Sequence, residues 1–388
     1  MSPERSQAED DALLRLQLAV GAVASRRKLL DTCGSAVDAL AAGEREWRSH
    51  GIDTAQVQAL LHPDRGALAR SRAWLQQPGH HLLGWHDPDY PALLRRIASP
   101  PLALFIAGDP ALLWHPAVAV VGSRSPSAGG LDHGFDFARA FAASGLAVTS
   151  GLAAGIDTAA HTGALSADGK TIAVLGTGPD VPYPRANTHL HARIAARGAV
   201  VSEHAPGTGV RREQFPSRNR IIAGLSLGTV VVEAAQRSGA LITARQAADA
   251  GREVFALPGS IANPLARGCH RLIRDGAMLV ESAQEVIEAL GPLAAQLAED
   301  LRGRLGAPNS GAATAVGSAA SDAIAAEPDY HRLWQALGHD PTGMDGLVSR
   351  TGLTAARLSS MLLVMELEGR VVSRHGRYTR RSSTVKPS

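Results

Sequence analysis

Between positions 211 and 220 the chain reads RREQFPSRNR, with four arginines, Arg211, Arg212, Arg218 and Arg220, opposed only by Glu213. A guanidinium is planar, carries several donors and matches a phosphate with two of them at once. Four such groups beside one acid do not make a balanced surface ion-pair cluster, so the spacing calls for an external anion. Pro216 fits just before a helix start, which sets Arg218, Asn219 and Arg220 in the first turn. Cations there oppose the helix dipole, roughly a few tenths of a kcal/mol each. A bound phosphate would reverse that, meeting both the arginine forks and the free N–H groups. Phe215 adds a ring, and a ring among arginines is how single-stranded nucleic acid is held: stacking for the base, charge for the backbone. A core role for Phe215 is the competing reading.

Other stretches offer similar chemistry. VVGSRSPSAGG places a Gly-Ser turn and Arg124 between an apolar run and a helical one, where an anion is favoured. A surface salt bridge is the alternative for Arg124. The motif is not GxGxxG, so a dinucleotide site is not expected. SGLAAGIDTAAHTGAL is nearly free of side-chain bulk around Gly151 and Gly155, which lets another chain approach the backbone. Asp157 and His161 lie four apart on one helix face, but no nucleophile or metal set completes them, and they read as structural. Pro182 and Pro184 stiffen the loop GTGPDVPYPRAN. In GTVVVEAAQRSGALITA, Glu233 ends a strand, and Ser238 is an N-cap candidate able to offer a hydroxyl to phosphate. Without a metal cluster or a nucleophile elbow, binding is expected rather than catalysis, with no cofactor.

These residues need a scaffold, and the alternation of short apolar runs with helical stretches supplies one. Expected strands are AVAVVG (117–122), LAVTSG (146–151), TIAVLG (171–176), AVVSE (199–203), GTVVVEA (228–234), EVFALPG (253–259) and AMLVES (277–282), with helices between them. That pattern predicts a largely parallel, doubly wound α/β sheet, whose ligands gather at the carboxyl ends of the strands. Residues 1–78 read as a small helical domain of the helix-hairpin kind, 79–290 as the Rossmann-like domain, and 291–325, rich in Ala, Gly and Ser, as a flexible linker. Residues 326–380 read as three helices and a basic two-stranded ribbon turning at His375-Gly376, the outline of a winged helix. Contact with DNA and contact with protein are both open for it. Residues 381–388 form a tail.

Composition bounds the rest. The 388 residues have 45% apolar content and a net charge of +3. All the basic residues except Lys28, Lys170 and Lys386 are arginine, and a GC-rich genome is the plain reading of that bias. Two distant cysteines, Cys33 and Cys269, are neither a disulfide framework nor a metal spacing. The acidic, polar N-terminus is unlike a signal peptide, and no apolar run approaches the ~20 residues a membrane helix requires. A cytoplasmic location is therefore expected, with no membrane contact.

Taken in order, VGSRSPS, SGLAAGIDTAAHTGAL, GKTIAVLGTGPDVPYP, FPSRNRIIAGLS, VVVEAAQRSGALITARQAADAGREVFALPG and GCHRLIRDGA resemble the DNA-processing protein A family (DprA, also called Smf). The resemblance is dense over about 85–285 and looser in the flanks. It implies an extended Rossmann-type domain that binds single-stranded DNA, protects incoming DNA during natural transformation and helps load the recombinase RecA, also past single-strand-binding protein. It implies a homodimer, and DNA-binding roles for Ser123, Arg124, Arg212, Phe215, Arg218, Asn219, Arg220, Ser238 and Gly239. His270 departs from the Asn that many relatives carry. Two rival readings remain. LGTVVVEA partly resembles the GTxxE element of nucleoside-monophosphate phosphoribohydrolases, with Gly228, Thr229 and Glu233 in place but the glycine-rich opening missing. A transcription regulator would instead use the C-terminal unit.

Overall fold

The computed structural model describes residues 6–305 and, beyond them, 332–333, 336–337, 342–353, 358, 362, 365, 371–374 and 377–380. Two compact units form, the second comprising 126–133 and the residues after 306.

The first unit is built on a nine-stranded sheet. Its strands are β1 (His80–Gly84), β2 (Ala103–Gly108), β3 (Ala117–Val121), β4 (Ala147–Ser150), β5 (Thr171–Leu175), β6 (Ala199–Ser202), β7 (Gly228–Val231), β8 (Glu253–Ala256) and β9 (Met278–Leu279). Their order is β1-β2-β6-β5-β4-β3-β7-β8-β9. From β6 to β9 every pairing is parallel. β1 and β2 extend the sheet antiparallel, β2 running against β6. All seven expected strands are present. β1 and β2 were not read as strands: HHLLG carries two polar residues, and ALFIAG follows a pair of prolines, so neither shows a clean period.

Successive residues of a strand face opposite sides, and here both sides are covered. Ala117, Ala119 and Val121 of β3 join one core with Val231, Ala256, Ile221 and Ile222. Val118 and Val120 join the opposite core with Val230, Phe255, Phe141 and Ile156. Double burial explains why these strands read as continuous apolar runs rather than alternating ones. The covering helices are α8 (Ala128–Ala143), α9 (Ile156–Ser166), α10 (Thr188–Arg197), α11 (Gln214–Gly224), α12 (Ala240–Asp249), α13 (Arg267–Arg274) and α14 (Ala283–Leu305), with a short α7 (Ala92–Arg95).

The N-terminal segment holds six helices, α1 (Gln7–Leu18), α2 (Val23–Cys33), α3 (Ala36–Ala41), α4 (Gly43–Ser49), α5 (Thr54–Leu61) and α6 (Arg65–Leu75). Asp53 and Gln56 form a reciprocal capping box that starts α5. The core of these helices is continuous with the sheet: Leu13, Leu29, Leu60 and Trp74 share a cluster with Phe105, Leu175, Ile194 and Val200. Inside α2, Arg26 is buried and donates to the carbonyls of Leu16, Gln17 and Gly21, closing the bend after α1.

The expected linker needs correction at its start. Residues 291–305 are helical, the end of α14, although Gly291-Pro292 looks like a stop signal. Val286, Leu290 and Leu297 are buried at helical spacing on both sides of the proline, and that stripe carries the helix through. Residues 306–325 lie outside the described ones.

In the second unit, α15 (Met344–Thr351) accompanies β10 (Thr342–Gly343), β11 (Val371–Arg374) and β12 (Arg377–Arg380). The ribbon β11–β12 is antiparallel as expected, and β10 adds a third strand beside β12. Its turn at His375-Gly376 lies outside the described residues. Leu333, Leu337, Leu347, Leu358, Leu362 and Met365 share its core.

Gly163 of α9 packs closely against α8, where a Cβ would collide with the Phe135 carbonyl. Gly163→Ala should lower stability by roughly 1–3 kcal/mol through overpacking, read as a lower urea midpoint. An unchanged midpoint would show that the two helices are free to separate.

Candidate nucleic-acid cleft

At the carboxyl end of the sheet, β3 has β4 on one side and β7 on the other. The chain leaves β3 toward one flank and returns to the other, which makes this a topological switch point. A cleft of about 980 Å³ opens there. The turn after β3 supplies Ser123 and Arg124, the start of α11 supplies Arg212, Phe215, Arg218 and Asn219, and the turn into α12 supplies Ser238 and Gly239. Eight of the nine expected residues thus line one cavity. Arg220 is not among the lining residues.

The four arginines of the opening stretch divide by what they touch. Arg218 is only 4% exposed. Its Nη1 donates to the Gly151 carbonyl at 2.7 Å and also to the Val174 carbonyl, at the ends of β4 and β5. Its Nε donates to Asn219 Oδ1 at 3.2 Å. Burial lowers its pKa to about 10, opposed by the nearby Asp157 carboxylate. Asp157 in turn accepts the backbone N–H groups of Gly151 and Ala153 at 3.1 and 3.3 Å. Gly151 is required for this packing, because a Cβ there would strike the guanidinium. Arg220 pairs with Glu203 at 2.5 Å, both side chains largely buried. Arg211 and Arg212 are exposed. The reading of four unopposed cations therefore needs correction, since Asp157 and Glu203, distant in sequence, answer two of them.

The helix start also differs. α11 begins at Gln214, so Pro216 sits inside its first turn, where its missing N–H is harmless, and Arg218 to Arg220 fall in the second. Nor is the turn after β3 a free donor array: Ser123 N–H donates to the Glu233 carbonyl at 2.7 Å and Ser125 N–H to the Ser123 hydroxyl at 3.1 Å. Gly239, not Ser238, occupies the N-cap of α12, and Ser238 Oγ accepts from Ala240 N–H at 3.3 Å. Asn219 Nδ2 reaches the Gly239 carbonyl at 3.4 Å, linking the two helix starts.

What remains open to solvent is coherent. Arg124, Arg212 and Arg237 are exposed at the rim and form no ion pair among the described residues. Phe215 is half-buried, with the Arg124 guanidinium 5.3 Å from its centroid. Tyr183, 42% exposed, lies 5.5 Å from the Phe215 ring at 44°. Tyr183 was missed in the sequence, although its place between Pro182 and Pro184 in a stiffened loop was the available signal. Arg237 was passed over beside Ser238.

His161 is fully buried, its Nδ1 2.7 Å from Thr171 Oγ1. That hydroxyl donates to the Val148 carbonyl, so Nδ1 carries the proton. Burial first, then the Arg218 charge, lowers its pKa to about 3. The Asp157/His161 pair is thus part of the packing beneath the cleft. Of the residues behind the phosphoribohydrolase reading, Thr229 is buried within β7, and Glu233 accepts from Asn263 at 3.3 Å and is not among the lining residues. His270 Nε2 lies 3.0 Å from the Gly259 carbonyl, a bond within the fold. Among the described residues no group of three or more His, Cys, Asp or Glu side chains could hold a metal, and no helix is long and apolar enough to cross a membrane.

Comparison with known proteins agrees with this architecture. The family model of DNA recombination-mediator protein A matches residues 81–291. The chain belongs to that family. The model of the DprA winged helix domain matches residues 317–377. Protein Smf of Escherichia coli is 38% identical over 331 residues, 85% of this chain and 85% of that protein. DNA processing protein DprA of Streptococcus pneumoniae is 50% identical over 201 residues, 52% of this chain and 71% of that protein. The X-ray structure of the Streptococcus pneumoniae DprA superposes with a TM-score of 0.64 at 38% identity, covering 74% of this chain and 98% of that one. DNA processing protein A from Helicobacter pylori, whose structure concerns its single-stranded DNA binding mode, gives 0.50 at 29% identity, covering 54% and 95%.

Two stability measurements test this geometry. Arg218→Met should cost roughly 3–5 kcal/mol, because it strands the buried Asp157, whereas Arg124→Ala should stay within about 0.5 kcal/mol of the parent. Equal urea midpoints for the two would refute the division. His161 has a folded pKa below its ordinary 6.5. The unfolded chain then binds the extra proton, so the stability contribution is complete above pH 6.5 and is lost as pH falls toward 3. His161→Gln should flatten the pH dependence in that window, and an unaltered slope would assign it to other groups.

Proposed function

We propose that this protein binds single-stranded DNA in the cleft and acts as a recombination mediator. In this reading it protects incoming DNA and helps load RecA during natural transformation. The observation that carries the proposal is a ring pair, Tyr183 and Phe215, set among three exposed and unpaired arginines, Arg124, Arg212 and Arg237. Rings accept unstacked bases of any sequence, and arginines hold the phosphates between them. A duplex keeps its bases stacked and offers the rings nothing. The Helicobacter pylori relative, studied for its single-stranded DNA binding, supports the same assignment.

In this reading Ser123, Asn219, Ser238 and Gly239, which line the cleft, contribute polar contacts to the strand. Arg218 and Arg220 act here by holding α11 in place rather than by meeting phosphate themselves. The protein works in the cytoplasm as a homodimer, with RecA and single-strand-binding protein as partners. It acts without a cofactor and by binding rather than catalysis. The winged helix serves as a separate contact module.

Fluorescence anisotropy with labelled oligothymidine and a duplex of equal length tests the proposal. Single-strand preference is expected. Arg124→Ala and Arg212→Ala should each reduce the salt slope by about 0.7, the value for one lost phosphate contact. Tyr183→Ala and Phe215→Ala should each cost roughly 1–3 kcal/mol, the range for one stacked base. Equal affinity for duplex, or parental affinity in all four variants, would overturn the assignment.

A further inference from the structure

The loop that leads from β6 into α11 forms one wall of the cleft, which Val210 and Arg212 line. It is tied to the neighbouring loop that carries Tyr183. Gly178 N–H donates to the Thr208 carbonyl at 2.9 Å, and Gly207 N–H donates to the two carboxylate oxygens of Asp180 at 2.8 and 3.1 Å. Gly207 is exposed and has φ +79°, a left-handed backbone that glycine adopts without strain. Arg70 of α6 lies against it: a Cβ on Gly207 would stand 3.4 Å from Arg70 Nε. An arginine of the N-terminal helices therefore borders the loop that rims the cleft. Gly207 is five positions before Arg212, a reach of at most about 18 Å. α6 itself is fixed, because Leu68 and Trp74 enter the core shared with Phe105 and Val200.

The charges along this path are sorted as they are in the cleft. Arg70 and Arg211 are exposed and form no ion pair among the described residues. Arg72, on the same helix as Arg70, pairs with Asp11 at 2.6 Å. Of the nearby acids, Asp180 is engaged by Gly207, Glu203 by Arg220, and Asp64 by the Ala67 N–H at the start of α6. Glu213 is the exposed acid beside Arg212.

We propose that the N-terminal helices extend the nucleic-acid site: the single strand leaves the cleft over the crest of this loop, and its backbone meets Arg211 and then Arg70. The proposal rests on the single-stranded DNA reading of the cleft and extends it. Two features favour this occupant over a protein partner. The path is continuous with the cleft through Arg212, and its unpaired charge is positive. The crest carries Gly207 and Gly209, both exposed, which let a phosphate backbone come close. Bases are anchored by the rings of the cleft, and the path beyond takes the backbone alone, without sequence preference.

The test is binding as a function of strand length, using oligothymidines from about 4 to about 16 nucleotides, the span of single-strand site sizes. Arg70→Gln and the double variant Arg70→Gln/Arg211→Gln should bind the shortest strands as the parent does and keep its urea midpoint. They should lose affinity gained on lengthening, roughly three- to tenfold per lost contact, with a salt slope on long strands smaller by about 0.7 and about 1.4. Arg72→Gln, which removes a paired arginine from the same helix, should bind every length as the parent does. Variants with the parent's length dependence would overturn the path while leaving the cleft standing, and so would an equal loss at every length, which would place Arg70 and Arg211 among the supports of the cleft wall. Absence of binding by the parent at every length would overturn both.

Discussion

The buried guanidinium of Arg218 is the constraint around which the site is organised. It spans from α11 to the ends of β4 and β5, so one side chain fixes where a helix starts relative to two strands. A charge at that depth is tolerated only if its donors and its field are answered. The Gly151 and Val174 carbonyls answer the first and Asp157 the second. The small residues after β4 follow from this. Gly151 leaves the volume that the guanidinium fills, and Asp157 is held by the N–H groups the same turn exposes. With α11 placed, Arg212, Phe215 and Asn219 are placed as well.

The same arrangement sorts charge by depth. Asp157 and Glu203 lie inward and are matched by Arg218 and Arg220. The exposed Arg124, Arg212 and Arg237 are left uncompensated. A net charge of +3 on 388 residues would suggest no great field. Segregation rather than total charge creates the positive concavity, and low-dielectric walls focus it.

Much of this was legible beforehand, for identifiable reasons. The parallel strands are buried on both faces and announce themselves as unbroken apolar runs. The turns that end them collect the glycines, serines and arginines of the cleft. What escaped was whatever depends on partners far along the chain. Arg218 and Arg220 looked unopposed because Asp157 lies several elements earlier and Glu203 stands on the far side of the loop that leads from β6 into α11. Tyr183 gained meaning only when Phe215 was seen beside it. β1 and β2 lack a period of their own and exist as strands because β6 offers an edge. The helix through Pro292 is the opposite case: a local breaker is overruled by Val286, Leu290 and Leu297 packing against the sheet.

The shared core of α1 to α6 and the sheet has a consequence for the order in which the chain is made. Phe105 of β2 and Val200 of β6 belong to the same cluster as Leu13, Leu29 and Leu60. β2 finds its neighbour only when β6 has been synthesised, with β3, β4 and β5 emerging in between. At ribosomal speeds of about 5–20 residues per second, the apolar faces of the first helices wait roughly ten seconds for their cover. During that interval the helices pack on one another, but the leucines that face β2 and β6 lack that part of their cover. A chaperone that shelters emerging chains would therefore engage this protein in its first half, and the demand would end as β6 leaves the tunnel.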